Sequence, residues 1–247
     1  MKDFEVRFEG ELPATPREVW DAITVHTSGW YWNISYEPRP GGAERGLTSA
    51  GGTVTAWEPP RHFATRAERP DGWWNSLEYV LEPRSGGTFL DYTHTSVVTQ
   101  GDYDAELDAC RRHTEFYYHS LGEYLRNFKG RDAAYVEADG PEGSARRGAF
   151  AALRRRLGLA EDAAAGDSVR LTPGGPEAIE GVVDYATPEF LGVRGADALY
   201  RFYGRDAWGW PVGVAHHLFA EDVDAERTEE TWRVWLHDVF DSGRSAA

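Results

Sequence analysis

The 247 residues carry ten Trp, twelve Tyr and eleven Phe, and 41% of them are hydrophobic, so the chain can build a packed core and is not disordered throughout. A formal net charge of −15 repels phosphate backbones and anionic headgroups, which makes nucleic acid and membrane surfaces poor partners, and no nucleic acid is expected. The single cysteine, Cys110, rules out an intrachain disulfide and a multi-thiolate zinc site, and suits a reducing cytoplasm.

Met1 to Glu11 is charged and alternating, unlike a signal peptide, and no apolar run approaches the roughly 20 residues of a bilayer span. A cytoplasmic protein with no membrane insertion is expected. Phe4, Val6 and Phe8 alternate with Glu5, Arg7 and Glu9, which predicts an edge or half-buried strand over 4–12. Thr15-Pro16-Arg17-Glu18 is a helix start, with Thr15 as cap and Glu18 completing a capping box. Val19, Trp20 and Ile23 form the stripe of that helix, and Gly29 with Trp30-Tyr31-Trp32 closes it.

Turn signals at Pro40-Gly41-Gly42, Pro59-Pro60, Pro70-Asp71-Gly72 and Ser85-Gly86-Gly87 punctuate the next stretch. Between them, strands are predicted over 52–57, 62–69, 76–82 and 88–97. Their short connections require antiparallel pairing. From Ala105 to Lys129 the period changes. Leu107, Cys110, Thr114, Tyr117, Leu121, Tyr124, Leu125 and Phe128 recur at three and four, which predicts one long amphipathic helix.

Residues 131–147 read as a linker, because Ala138 to Arg147 is polar and glycine-rich. A short helix is predicted over 149–159, strands over 191–194, 198–204 and 212–219, and a closing helix over 225–240 with Trp232, Trp235, Leu236, Val239 and Phe240 inward. Gly181 to Phe190 echoes Gly52 to Phe63. The expected organisation is an α+β domain over 1–130, the linker, and a smaller α+β domain over 148–247. That second domain is a truncated partial duplicate lacking the opening strand.

Three stretches carry a family resemblance. Gly52-x-Val54-x-x-x-Glu58-Pro59-Pro60-Arg61-x-Phe63 resembles the central strand and turn of bacterial SRPBCC (START-like) proteins, within the group named after the activator of a heat-shock chaperone ATPase. Tyr79-x-Leu81-Glu82-Pro83-x-x-Gly86-Gly87-Thr88-x-Leu90-x-x-Thr93-His94 is similar to that family's consecutive hairpin strands, and His113 with Leu121-x-x-x-Leu125 to its terminal helix. The resemblance covers 1–130 well and 145–240 loosely. It implies a helix-grip fold, a curved antiparallel sheet around one long helix with a cavity between them. It also implies binding of lipids, polyketides or other hydrophobes. Some members are cyclases or aromatases, and some protect antibiotic producers from their own product.

A helix-grip interior need not be filled by its own side chains. Strand alternation gives Leu77, Tyr79 and Leu81 on one inward face, and Leu90, Tyr92, His94 and Ser96 on the next. The expected ligand-binding residues are Trp30, Trp32, Trp57, Trp73, Trp74, Tyr79, Tyr92, His94, His113, Tyr117 and Leu121. The partner is then a small aromatic or polyketide-like molecule, held for transport, sequestration or self-protection.

No nucleophile–base–orienter set is visible, so binding is expected rather than chemistry. The enzymatic alternative is a metal-free cyclase or aromatase using His94 and Tyr92, with His113 or Asp91 as the polar neighbour of His94. Cys110 reads as a small hydrophobe. No metal is expected, since His216 and His217 point to opposite faces of a strand. No cofactor is expected either, since Gly174-Gly175 reads as a turn. A third reading is an interaction module, co-chaperone-like or homodimeric, docking through Trp208, Trp210 and Trp232.

Overall fold

The alternation at the N-terminus produces β1 (Lys2–Leu12) in a computed structural model that describes residues 1–99 and 101–241. The capping box forms as predicted. The Glu18 amide donates to Thr15 Oγ1 at 3.3 Å and the Thr15 amide to the Glu18 carboxylate at 2.9 Å, which starts α1 (Pro16–Thr24). Lys129 Nζ lies 2.8 Å from the other Glu18 oxygen. This ammonium, with the Thr15 hydrogen bonds, holds the Glu18 carboxyl down to about 2. A 3₁₀ turn, Thr27–Gly29, follows.

The chain divides into two units, the second beginning at Ala133. In the first, the strands are β2 (Ser35–Tyr36), β3 (Ala43–Arg45), β4 (Gly52–Glu58), β5 (His62–Glu68), β6 (Trp74–Arg84) and β7 (Gly87–Val98). They form one antiparallel sheet of order β1-β7-β6-β5-β4-β3-β2. β1 is an edge strand and ladders without interruption onto β7, from Lys2 opposite Val98 to Leu12 opposite Thr88. The long helix α2 (Tyr103–Asn127), capped by Asp102, lies against this sheet along β1. Its buried arc is wider than the predicted stripe, because Phe116, Tyr118 and Ser120 are buried beside Thr114, Leu121, Tyr124 and Leu125.

Gly29 shows how closely the sheet-side turn and α2 approach. A methyl group there would run into the Tyr124 ring. Tyr124 cannot swing away, since its hydroxyl donates to the Arg131 carbonyl at 3.0 Å and accepts from the Gly130 amide at 2.9 Å. Gly29→Ala is therefore expected to cost about 1–3 kcal/mol through overpacking, read as a lower urea midpoint with an unchanged slope.

The second unit holds β8 (Ala134–Asp139), α3 (Ala149–Arg156), β9 (Ser168–Leu171), β10 (Ile179–Ala186), β11 (Phe190–Arg194), β12 (Ala198–Tyr203), β13 (Gly213–Leu218) and α4 (Ala225–Asp241). The sheet order is β8-β13-β12-β11-β10-β9. First strand beside last, then back in sequence, is the order of the first unit with one strand fewer. Two similar α+β units therefore follow one another.

The expected linker over 131–147 is corrected. It contains β8, which pairs along its whole length with β13, from Ala134 opposite Leu218 to Asp139 opposite Gly213. The opening strand thought to be missing is this one. Val136, Ala138, Phe150, Leu153, Val183, Phe202, Trp232, Trp235 and Leu236 make the core. Trp232 is thus core and not an exposed docking residue.

Candidate functional site

Strand register decides which side chains meet beneath α2. In the β6–β7 ladder Leu77 sits opposite His94 and Tyr79 opposite Tyr92. Asn75, Leu77 and Tyr79 therefore share the inward face with Tyr92, His94 and Ser96, as period-two pleating requires. Helix phase then brings Cys110, His113, Thr114, Tyr117 and Tyr118 over that face.

The first unit's own side chains fill most of this interior. Tyr79 and Leu121 are buried core. Trp30 is buried as well, its indole donating to the Ala22 carbonyl at 2.9 Å. What remains is a cavity of about 160 Å³, walled by Tyr31, Trp32, Leu47, Thr48, Asn75, Leu77, Tyr92, His94 and the five α2 residues. Trp32, Tyr92, His94, His113 and Tyr117 thus reach the cavity. Trp30 and Tyr79 back it through ring contacts with Tyr31 and Tyr92, and Leu121 is buried core outside its lining.

Three expected ligand residues lie elsewhere. Trp57 packs edge-on against Trp20 and Phe63, with ring centroids 5.1 and 5.5 Å apart. Trp73 and Trp74 lie under the Arg69 and Arg66 guanidinium groups at 4.4 and 4.6 Å, outside the cavity. Each of these half-buried indoles stacks against an arginine, Arg66 on β5 and Arg69 just beyond its end.

The cavity wall is aromatic. Tyr31 stacks between Trp30 and Trp32, at 5.0 and 3.7 Å, and meets Tyr117 edge-on at 4.6 Å. Tyr118 packs against Tyr92 with ring centroids 4.7 Å apart, and Tyr92 against Tyr79 at 4.9 Å. Burial raises the phenols of Tyr31, Tyr92 and Tyr118 well above their usual range, so all three stay neutral.

The polar part of the site is a chain of three side chains. His94 Nε2 is 2.6 Å from Asn75 Oδ1, and Cys110 Sγ is 3.2 Å from His94 Nδ1. The amide oxygen can only accept, so Nε2 carries the proton and Nδ1 accepts from the thiol. Phe4 covers the imidazole edge-on at 5.3 Å. Burial lowers the His94 pKa to about 4, leaving a neutral ring, and pushes the Cys110 thiol up to about 12.

Neither expected neighbour of His94 is its partner. Asp91 falls on the opposite face of β7, and His113 Nδ1 instead meets the Ala109 carbonyl at 2.8 Å. Cys110 is a hydrogen-bonded member of the site rather than a simple hydrophobe. Among the described residues, no three His, Cys, Asp or Glu side chains are grouped to hold a metal ion. No helix among them is long and apolar enough to cross a membrane.

The second unit has a larger groove of about 660 Å³ between its sheet and the start of α4. Ile179, Tyr200, Leu218 and Trp232 contribute apolar wall, but Glu177, Glu180, Asp197, Asp222 and Asp224 also line it. Carboxylates retain their water, so this groove suits an apolar guest poorly.

Residues 13–126 match the model of the family described as Activator of Hsp90 ATPase homolog 1-like protein. No curated protein matches the chain. Among solved structures, CalU16 from Micromonospora echinospora is 20% identical with a TM-score of 0.41, over 50% of this chain and 85% of that one. The Aha1 dimer from Colwellia psychrerythraea is 20% identical with a TM-score of 0.41, over 51% and 99%. DynU16, from the dynemicin biosynthetic locus, is 15% identical with a TM-score of 0.44, over 96% and 95%. The family match falls within the sheet and long helix that enclose the cavity. Over residues 13–126, a little under half of the chain, the first unit is similar to the family described as Activator of Hsp90 ATPase homolog 1-like protein.

Proposed function

We propose that the first unit binds a compact aromatic molecule in the cavity beneath α2. The observation that carries this reading is the unfilled room itself, about 160 Å³ between an aromatic wall and a neutral Asn–His–Cys chain. An apolar cavity of about 150 Å³ is large enough for a benzene-sized guest. Drug-sized ligands use roughly 300–1,000 Å³, so a fused polyketide would require the walls to move. The reading is accordingly narrower than the polyketide expected from family resemblance. It concerns one aromatic ring with at most a few substituents.

Recognition follows from the wall. Tyr31, Trp32, Tyr92 and Tyr117 offer faces and edges to a ring. Thr48 lines the same cavity, and its buried hydroxyl oxygen has no hydrogen-bond partner, so a polar substituent would find one there. The protein then serves to shield such a molecule from water, which suits sequestration or carriage.

Phenol titrated into the full chain and followed by NMR is expected to shift resonances of cavity residues with saturation. Leu77→Phe fills the space from the sheet side and is expected to abolish these shifts while the circular dichroism spectrum stays native. Native protein that shows no saturable shift, or a filled variant that binds phenol as well as native protein, would overturn the proposal.

A further inference from the structure

We propose that Cys110, His94 and Asn75 act as nucleophile, general base and positioning residue, accepting an acyl group from a small aryl ester that enters the cavity. This rests on the cavity reading above, since the ester's ring must lie where phenol would.

The geometry has each element that acyl transfer to a thiol requires. The nucleophilic sulfur and the accepting nitrogen are 3.2 Å apart, and the far side of the imidazole is fixed at 2.6 Å by an amide oxygen that dictates its tautomer. A nucleophile touching a base that is itself oriented by a third group is the general signature of covalent catalysis, found on unrelated folds with Cys, His and Asn in these roles. Three separate elements, α2, β7 and β6, supply the residues, and all three line one cavity. The unpartnered Thr48 hydroxyl on the same wall is a donor for the carbonyl oxygen of a bound ester.

Burial keeps the resting pair neutral, so the thiol must lose its proton as it attacks. The step balances without an oxidant or reductant. The Cys110 sulfur bonds to the carbonyl carbon as the carbon–oxygen bond to the aryl group breaks. The thiol proton passes to His94 Nδ1 and then to the departing aryloxide. Water then hydrolyses the thioester, releasing the acid and returning a proton to the sulfur. A charged alkylating agent in bulk solvent would find no thiolate here, whereas a neutral ring-bearing ester can enter and meet thiol and base together.

The test is 4-nitrophenyl acetate with the full chain. Intact mass is expected to show one added acetyl group, peptide mapping to place it on Cys110, and nitrophenolate to be released with a saturable rate. Cys110→Ala and Cys110→Ser should carry no acetyl at this position. His94→Gln should slow release about a hundredfold or more. Asn75→Ala should lower the saturated rate with the half-saturating concentration unchanged, and Asn75→Asp, which still accepts from Nε2, should restore it. An acetyl group mapped elsewhere, or release undiminished in Cys110→Ala, overturns the proposal. Phenol binding to Cys110→Ala separates the two failures. Phenol bound with no acetylation of native protein removes the nucleophile and leaves the cavity reading. Phenol bound by neither protein removes both.

Discussion

Asp184→Ala is expected to destabilise the second unit by about 3–5 kcal/mol, among the largest single-residue effects in the molecule. Arg201 is fully buried, and its guanidinium lies 3.0 Å from an Asp184 carboxylate that is itself only 5% exposed. Two charges withdrawn from water tolerate each other through their attraction. Removing the carboxylate leaves a cation in a medium that solvates it poorly. The converse substitution distinguishes this cause from simple loss of packing. Arg201→Met combined with Asp184→Leu removes both charges while conserving volume, and is expected to recover most of the loss. Hydrogen exchange of second-unit peptides reads both variants. A double variant as unstable as Asp184→Ala would show that side-chain shape, and not loss of the opposing charge, sets the cost.

Acid is expected to unfold the same unit through His216. This ring is fully buried, touching Tyr200, Phe202 and Trp232 edge-on, and its Nδ1 accepts from the Arg201 amide at 3.1 Å. Burial first, then the neighbouring His217 and Arg201, lower its pKa to about 3. An unfolded histidine titrates near 6.5, so between these values the unfolded chain binds the extra proton. Stability is therefore full above about pH 6.5 and falls as pH drops toward about 3, by on the order of 1.4 kcal/mol per pH unit from this group. His216→Phe is expected to flatten that slope by about this amount whatever it does to stability at neutral pH. A slope unaltered in the variant would assign acid sensitivity to other groups.

Much of the fold could be read from the sequence because the relevant signals are local. The capping box at Thr15, the alternation of β1 and the turn residues bounding β4 to β7 each act within a few positions. The change to helical period marked α2 to within two residues at each end. β8 escaped because only Val136 to Asp139 of it alternates between buried and exposed, and the glycine-rich segment behind it suggested a linker. Its strand character comes from pairing with β13, some 80 residues later, which no local pattern records.

The site was legible in part for the same reason. Inward alternation found Tyr92 and His94, and helix phase found His113 and Tyr117. Asn75, His94 and Cys110 are 19 and 16 residues apart in sequence and meet only through sheet register and helix phase together. One signal was available. Extending the alternation Leu77, Tyr79, Leu81 back by a single step places Asn75 on the face of His94, one residue ahead of the strand predicted over 76–82. Trp73 and Trp74 suggest a cavity mouth because adjacent strand residues point opposite ways; in the fold they do not line the cavity and stack against Arg69 and Arg66, contacts that no local pattern records.

The pairing of first strand with last also bears on synthesis. While a ribosome is still making the middle of the first unit, Lys2–Leu12 has no hydrogen-bonding neighbour, and it must wait for Gly87–Val98 to emerge before its ladder can close. Ala134–Asp139 waits in the same way for Gly213–Leu218. Each unit thus finishes folding only near the end of its own translation, and each nascent opening strand spends that interval as an unguarded edge.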